Sequence, residues 1–217
     1  MPYKESQDRK IPKWLSILIV LVIIPTLYFS PFILGLAGEI LIIQEKYQAA
    51  VDLADVAVRL RSDYAFPYSV RAKAFSERGE LEKALQEYTR AIDLNPREWV
   101  YYTERGNVFS RMGKSEDAIA DYTKSIEIHP TNEDAYINRG REFALAGDYE
   151  NAKEDFSKAI EINPDSADAY LDRGIMYSLS EKRKAQSDFQ KAIELFREEG
   201  DFEKAELALQ MLEDLDP

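Results

Sequence analysis

The sequence has no cysteine and a single histidine, His129. The absence of cysteine rules out disulfides, thiolate metal ligands and thiol nucleophiles, and leaves the redox compartment open. His129 stands beside Pro130, where it reads as a helix-end residue favoured by the negative end of the helix dipole, not as a catalytic base. The nine glycines fall on turns and repeat positions, with no phosphate-cradling loop and no GxSxG turn. Acids are plentiful, 40 against 28 lysines plus arginines, but in so acidic a chain neighbouring carboxylates are expected of solvated helix faces. An enzyme is not expected, nor a cofactor, a metal or a small-molecule substrate. The net charge of −12 is uneven: the first thirteen residues sum to +2 and the rest to −14. Such a body repels phosphate backbones, which excludes nucleic acid as a partner.

From Trp14 to Ile43 only Glu39 is charged. One straight helix of that run would reach about 45 Å at about 1.5 Å per residue, well beyond a hydrocarbon core of roughly 30 Å. Pro25 and Pro31 divide it, because a proline inside a helix loses a hydrogen bond and clashes with the preceding turn. A transmembrane signal-anchor helix is therefore expected over residues 14–32, extensible to Leu36, with Trp14 and Tyr28 as interface anchors in the lipid bilayer. The alternative is a cleaved leader ending at Ala37, against which stands the usual leader core of only ~7–15 apolar residues. Lys10 and Lys13 flank the run on one side, and Glu39 and Glu45 on the other. Positive-inside logic keeps residues 1–13 in the cytoplasm and puts the acidic body on the periplasmic, lumenal or extracellular side.

Beyond the apolar run a period dominates. Pro96, Pro130 and Pro164 recur every 34 residues, closing the phrases AIDLNP, SIEIHP and AIEINP. Tyr68, Tyr102, Tyr136 and Tyr170 keep the same interval, as do Ala72, Gly106, Gly140 and Gly174. In the second half of each unit stand Ala84, Ala118 and Ala152, followed four residues later by Tyr88, Tyr122 and Phe156. Small or apolar residues at i, i+4 and i+7 mark one face of a helix. Each unit thus predicts two helices joined by a short polar turn, with proline ending the second. One such hairpin cannot bury its apolar face alone, so units must stack.

In length and in residue type at nearly every signature position, the pattern resembles the tetratricopeptide repeat (TPR). The resemblance implies an all-α chain: an N-terminal transmembrane helix, then a right-handed α-solenoid of antiparallel helix pairs. The units fall at residues 65–98, 99–132, 133–166 and 167–199, the last with a shortened turn. A degenerate unit at 31–64 precedes them, and residues 200–217 read as a capping helix.

Where the family usually carries leucine this chain has Arg71, Arg105, Arg139 and Arg173. Sixteen residues later come Glu87, Asp121 and Asp155, and fifteen later, in the shortened unit, Asp188. These predict a repeated arginine–carboxylate pair bridging helices, within a unit or to its neighbour, with the bidentate fork favouring arginine over lysine. The family's usual binding surface is a groove lined by the first helices of successive units. By register that groove includes Lys73, Asn107, Arg111, Asn138 and Arg141, a polar and basic strip suited to a partner segment with acidic and apolar residues. In members that clamp chaperone tails, a carboxylate is held by five polar or basic positions. Asn107 and Asn138 match two of them, but Thr103, Asp168 and Asp172 occupy the others, and the two acids would repel such a tail. TPR proteins with one membrane helix include assembly factors of photosynthetic complexes and accessory subunits of protein translocation machinery. The expected function is accordingly a membrane-anchored scaffold for a protein partner, a client segment or a membrane-complex subunit. A permanent subunit whose span packs on other helices is the alternative.

Overall fold

The computed structural model describes residues 30–178 and 180–215, and among these it is entirely helical. The apolar segment Trp14–Phe29 lies outside the described residues. No helix among the described residues is long and apolar enough to cross a membrane.

Among the described residues eleven helices follow one another, ten of them in pairs. They are α1 (Pro31–Ile43) with α2 (Tyr47–Leu60), α3 (Ala65–Glu77) with α4 (Leu81–Leu94), and α5 (Trp99–Arg111) with α6 (Ser115–Ile128). Then come α7 (Glu133–Leu145) with α8 (Tyr149–Ile162), α9 (Ala167–Ser178) with α10 (Lys182–Glu199), and α11 (Phe202–Asp214). Each helix packs on the next, and the first helices α1, α3, α5, α7 and α9 also touch in series. This is the solenoid arrangement of a TPR array. Residues 31 and 32, the end of the expected membrane span, and 33–36, its possible extension, belong to α1, which begins at Pro31 behind Ser30.

The core within a pair is a small residue under a ring. Ala84, Ala118, Ala152 and Ala185 are fully buried, and Tyr88, Tyr122, Phe156 and Phe189 are each 1% exposed. The rings lie against the backbone of the first helix: a Cβ added at Gly106, Gly140 or Gly174 would come within 2.7 Å of Tyr122, Phe156 or Phe189. Proteins pack at crystal-like density, so that space cannot be widened freely. The degenerate first unit follows the same plan, with Ala50, Ala54 and Ala57 fully buried.

The turn inside a pair needs one left-handed residue, where an L side chain is disfavoured. Gly147 supplies it at φ +80° in the fourth unit. There Asp148 N donates to Phe143 O at 2.9 Å and Gly147 N to Ala144 O at 3.1 Å, satisfying the last carbonyls of α7. In the first unit the same register position is Glu45, at φ 57° without a glycine. In the fifth, one residue fewer closes the turn, with Glu181 N on Tyr177 O at 2.7 Å. At the far end Phe196, fully buried, packs with Ala205 and Ala208 of α11 and closes the core.

Candidate partner-binding groove

A first helix presents two opposite faces. On α7, Tyr136, Arg139 and Phe143 point toward its own second helix, whereas Asp134, Asn138, Arg141 and Leu145 lie on the other side, by the 100° step of a helix. The first face carries the arginine ladder. Arg105 donates from Nε and Nη2 to Asp121 at 2.7 and 2.8 Å. Arg139 does the same to Asp155 at 2.8 Å twice, and Arg173 to Asp188 at 2.8 and 2.9 Å. Arg71 reaches Glu87 at 2.6 Å. The remaining Nη1 of each arginine turns to the preceding unit: Thr89 from Arg105 at 3.0 Å, Thr123 from Arg139 at 2.9 Å, Ser157 from Arg173 at 3.1 Å, and Asp55 from Arg71. Each arginine thus ties three helices, within its unit and to its neighbour. Burial works against the charge of Arg139, but the hydrogen bonds and field of Asp155 outweigh it and hold the guanidinium pKa above its ordinary value. In the second unit the longer Glu87 and the added Asp55 draw Arg71 sideways, and its buried Nε is left without a partner.

The preceding-unit hydroxyl was legible in the sequence and overlooked. Thr89, Thr123 and Ser157 follow the acid by two residues and keep the 34-residue interval.

The opposite face forms the groove. All five groove candidates lie on it, but they do not make a free basic strip. Lys73 Nζ is 3.3 Å from Glu39 of the preceding unit. Arg141 pairs with Asp172 at 2.6 Å and Asp168 at 3.6 Å of the following one. Arg111 donates to the carbonyl and hydroxyl of Ser76 at 2.9 and 2.7 Å, so it serves the end of α3. Asn138 donates to Asn107 Oδ1 at 3.1 Å, and the same oxygen accepts the Tyr122 hydroxyl at 2.9 Å. The two asparagines that match the chaperone-tail clamp are therefore spent on each other. Thr103, the third clamp position, is buried in a node with Ser125 and Asn132: Asn132 Nδ2 donates to both hydroxyls at 2.9 Å.

With Lys73 and Arg141 matched by carboxylates and Arg111 tied to Ser76, the more numerous acids set the sign of the groove. Glu77, Glu98, Glu104 and Asp134 line this side, and among the described residues none of them has a cation within ion-pair distance. Burial pushes the Glu104 carboxyl pKa up, against the pull of Lys73, and burial does the same at Asp172 against Arg141.

Two apolar pockets open along the groove. One, of about 240 Å³, is lined by Phe66, Val100 and Tyr101 with Lys73, Glu98 and Glu104 at its rim. The other, of about 490 Å³, is lined by Ala144, Leu145, Phe156, Ile175 and Met176 beside Arg141 and Asp172. Leu145 is 78% exposed at its edge. A larger hollow of about 590 Å³ sits on the opposite side, around Arg139 and Asp155, and its lining is mostly charged. His129 stands at the end of α6, its ring edge-on to Trp99 at 4.8 Å.

Comparison with known proteins bears on the fold. Family models described as tetratricopeptide repeat match residues 99–132, 133–166 and 156–206, and one described as TPR repeat matches 72–113. Together they span residues 72–206, well over half of the chain. No curated protein sequence matches. Among solved structures, a crystal structure of MamA superposes with TM-score 0.67 at 19% identity, covering 80% of this chain and 95% of that one. YrrB, described as a TPR protein with an unusual peptide-binding site, superposes at 0.66 with 18% identity, covering 92% and 97%. Pseudomonas aeruginosa pilF gives 0.71 with 17% identity, covering 86% and 92%. At these identities the likeness concerns the fold alone.

Proposed function

The chain belongs to the tetratricopeptide-repeat family, and we propose that it is a membrane-tethered scaffold whose groove holds an apolar, basic segment of a partner protein. Residues 14–30 are the tether, with the N-terminus cytoplasmic and the repeats on the periplasmic, lumenal or extracellular side. The role is non-catalytic: assembly or accessory service to a membrane complex. TPR arrays bind protein partners, and the solved relative YrrB is described as having a peptide-binding site.

One observation carries the choice of partner. Of the groove cations, Lys73 and Arg141 are neutralised by carboxylates of the chain and Arg111 is held by neutral Ser76, whereas Glu77, Glu98, Glu104 and Asp134, among the described residues, have no cation partner. The acidic partner suggested by the basic residues alone would meet excess negative charge. A segment with lysine or arginine between apolar side chains meets carboxylates at the rims and fills the two apolar pockets. The tether rests on the uncharged run Trp14–Phe29 and its basic flank.

The test is purification of the intact protein from mildly solubilised native membranes, wild type against Leu145→Asp. The leucine is mostly exposed, so the fold should persist, as circular dichroism would verify. Substoichiometric partners present with wild type and lost with Leu145→Asp support the groove. A stoichiometric, salt-resistant set of membrane subunits retained by both proteins would instead make the chain a permanent subunit.

A further inference from the structure

Among the described residues no unit precedes the first, and its outer face is exposed. Phe32, Leu36, Ile40 and Ile43 are 50%, 43%, 55% and 81% exposed. Their spacing puts them in one stripe along α1. The repeat itself shows what that stripe lacks. At the position of Ile40, the later units carry Ala74, Val108, Glu142 and Met176, which are 0%, 1%, 3% and 9% exposed because the preceding unit covers them. The one charge on α1, Glu39, is taken by Lys73 at 3.3 Å. Such a face on a soluble end cap would be polar.

We propose that this stripe rests in the interfacial layer of the bilayer, so that α1 is itself a membrane contact and fixes the attitude of the solenoid. The inference rests on the tether reading above. Chain length supports it. The seventeen residues from Trp14 to Ser30, which precede α1, carry no charge, and a helix of that length would reach only about 26 Å at about 1.5 Å per residue. The hydrocarbon core is roughly 30 Å. The uncharged stretch continues into α1 as far as Gly38, with no hydrophilic spacer, so the shortfall draws the start of α1 down to the lipid. The competing occupant is the same run folded back as an extra helix over α1. It carries no charge on any side, so folding back would cover one apolar face while exposing another.

The cysteine-free sequence allows a direct test on the full chain reconstituted in phosphatidylcholine vesicles. Single variants Ile40→Cys and Ile43→Cys, with Leu207→Cys on α11 as reference, take an environment-sensitive fluorophore. Quenching by lipid-borne nitroxide is compared with quenching by aqueous iodide. The expected result is lipid quenching several-fold stronger at 40 and 43 than at 207, with a blue-shifted emission. Iodide quenching at 40 equal to that at 207 would overturn the proposal. So would protection from both quenchers, which means a cover of protein; energy transfer between differently labelled copies then separates a second copy from the folded-back run. Alkaline carbonate extraction keeps the two readings apart. Protein released by carbonate sinks the tether itself, whereas protein retained but unquenched by lipid sinks only the contact of α1.

Discussion

Replacing Arg139 by alanine removes the fork between α7 and α8 and the link to Thr123 on α6. Three hydrogen bonds of 2.8–2.9 Å go with it, and Asp155, 4% exposed, is left without its cation. Breaking a buried pair from one side costs about 3–5 kcal/mol, mostly the penalty of the stranded charge. The guanidinium also sits 5.7 and 5.8 Å from the ring centres of Tyr136 and Phe143, worth about 0.5–1 kcal/mol more. We therefore expect Arg139→Ala to lower stability by about 3–5 kcal/mol in denaturant titrations of the full chain in mild detergent. Because a solenoid's stability is close to a sum over neighbouring units, hydrogen exchange should quicken in α6, α7 and α8 and change little in α3 or α11. Arg139→Lys keeps the charge but not the fork and should recover only part of the loss. Removing both charges, as Arg139→Met with Asp155→Leu, should bring stability back to within about 2 kcal/mol of wild type. A loss under about 1 kcal/mol for Arg139→Ala, additive with Asp155→Leu, would mean the pair is solvated and the ladder holds nothing together.

Two further outcomes can be read from melting curves. Burial raises the Glu104 carboxyl pKa in the folded state, so the native protein binds a proton more readily than the unfolded chain. Stability from this group is therefore full at low pH and lost as pH rises from the ordinary carboxylate value through the raised one. Glu104→Gln should melt higher than wild type near about pH 7, with the difference shrinking toward about pH 4; a difference independent of pH would contradict this. At Gly140 a Cβ would stand 2.7 Å from Phe156, so Gly140→Ala should cost about 1–3 kcal/mol of overpacking, offset by about 1 kcal/mol of helix propensity. Gly147→Ala meets open space but a φ of +80° and should cost about 1–2 kcal/mol. Phe156→Leu should relieve the first variant and not the second, and equal coupling to both would refute the distinction.

The repeat was readable because its information is local. Alanine and aromatic residues four apart define the buried face of a second helix without reference to anything distant, and the 34-residue interval of the prolines gives the stacking. The arginine ladder was readable for the same reason: Arg105 and Asp121 recur in step with Arg139 and Asp155, so a single contact repeats itself. Thr89, Thr123 and Ser157 obeyed the same arithmetic. The buried node of Thr103, Ser125 and Asn132 was not readable, because its three members come from α5, α6 and the cap of α7, and no other unit repeats it.

By itself the sequence determined the helix pairs, their stacking and the acidic sign of the whole body, since spacing and composition are properties of the chain alone. The character of the groove was decided only by the tertiary structure. Lys73 and Arg141 look like free cations in the sequence, yet each meets a carboxylate more than thirty residues away, Glu39 and Asp172. Arg111 is held by Ser76 across a similar gap. Which charges are left over for a partner depends on these neighbours across the stacked units, and stacking is where one unit's cation meets the next unit's acid.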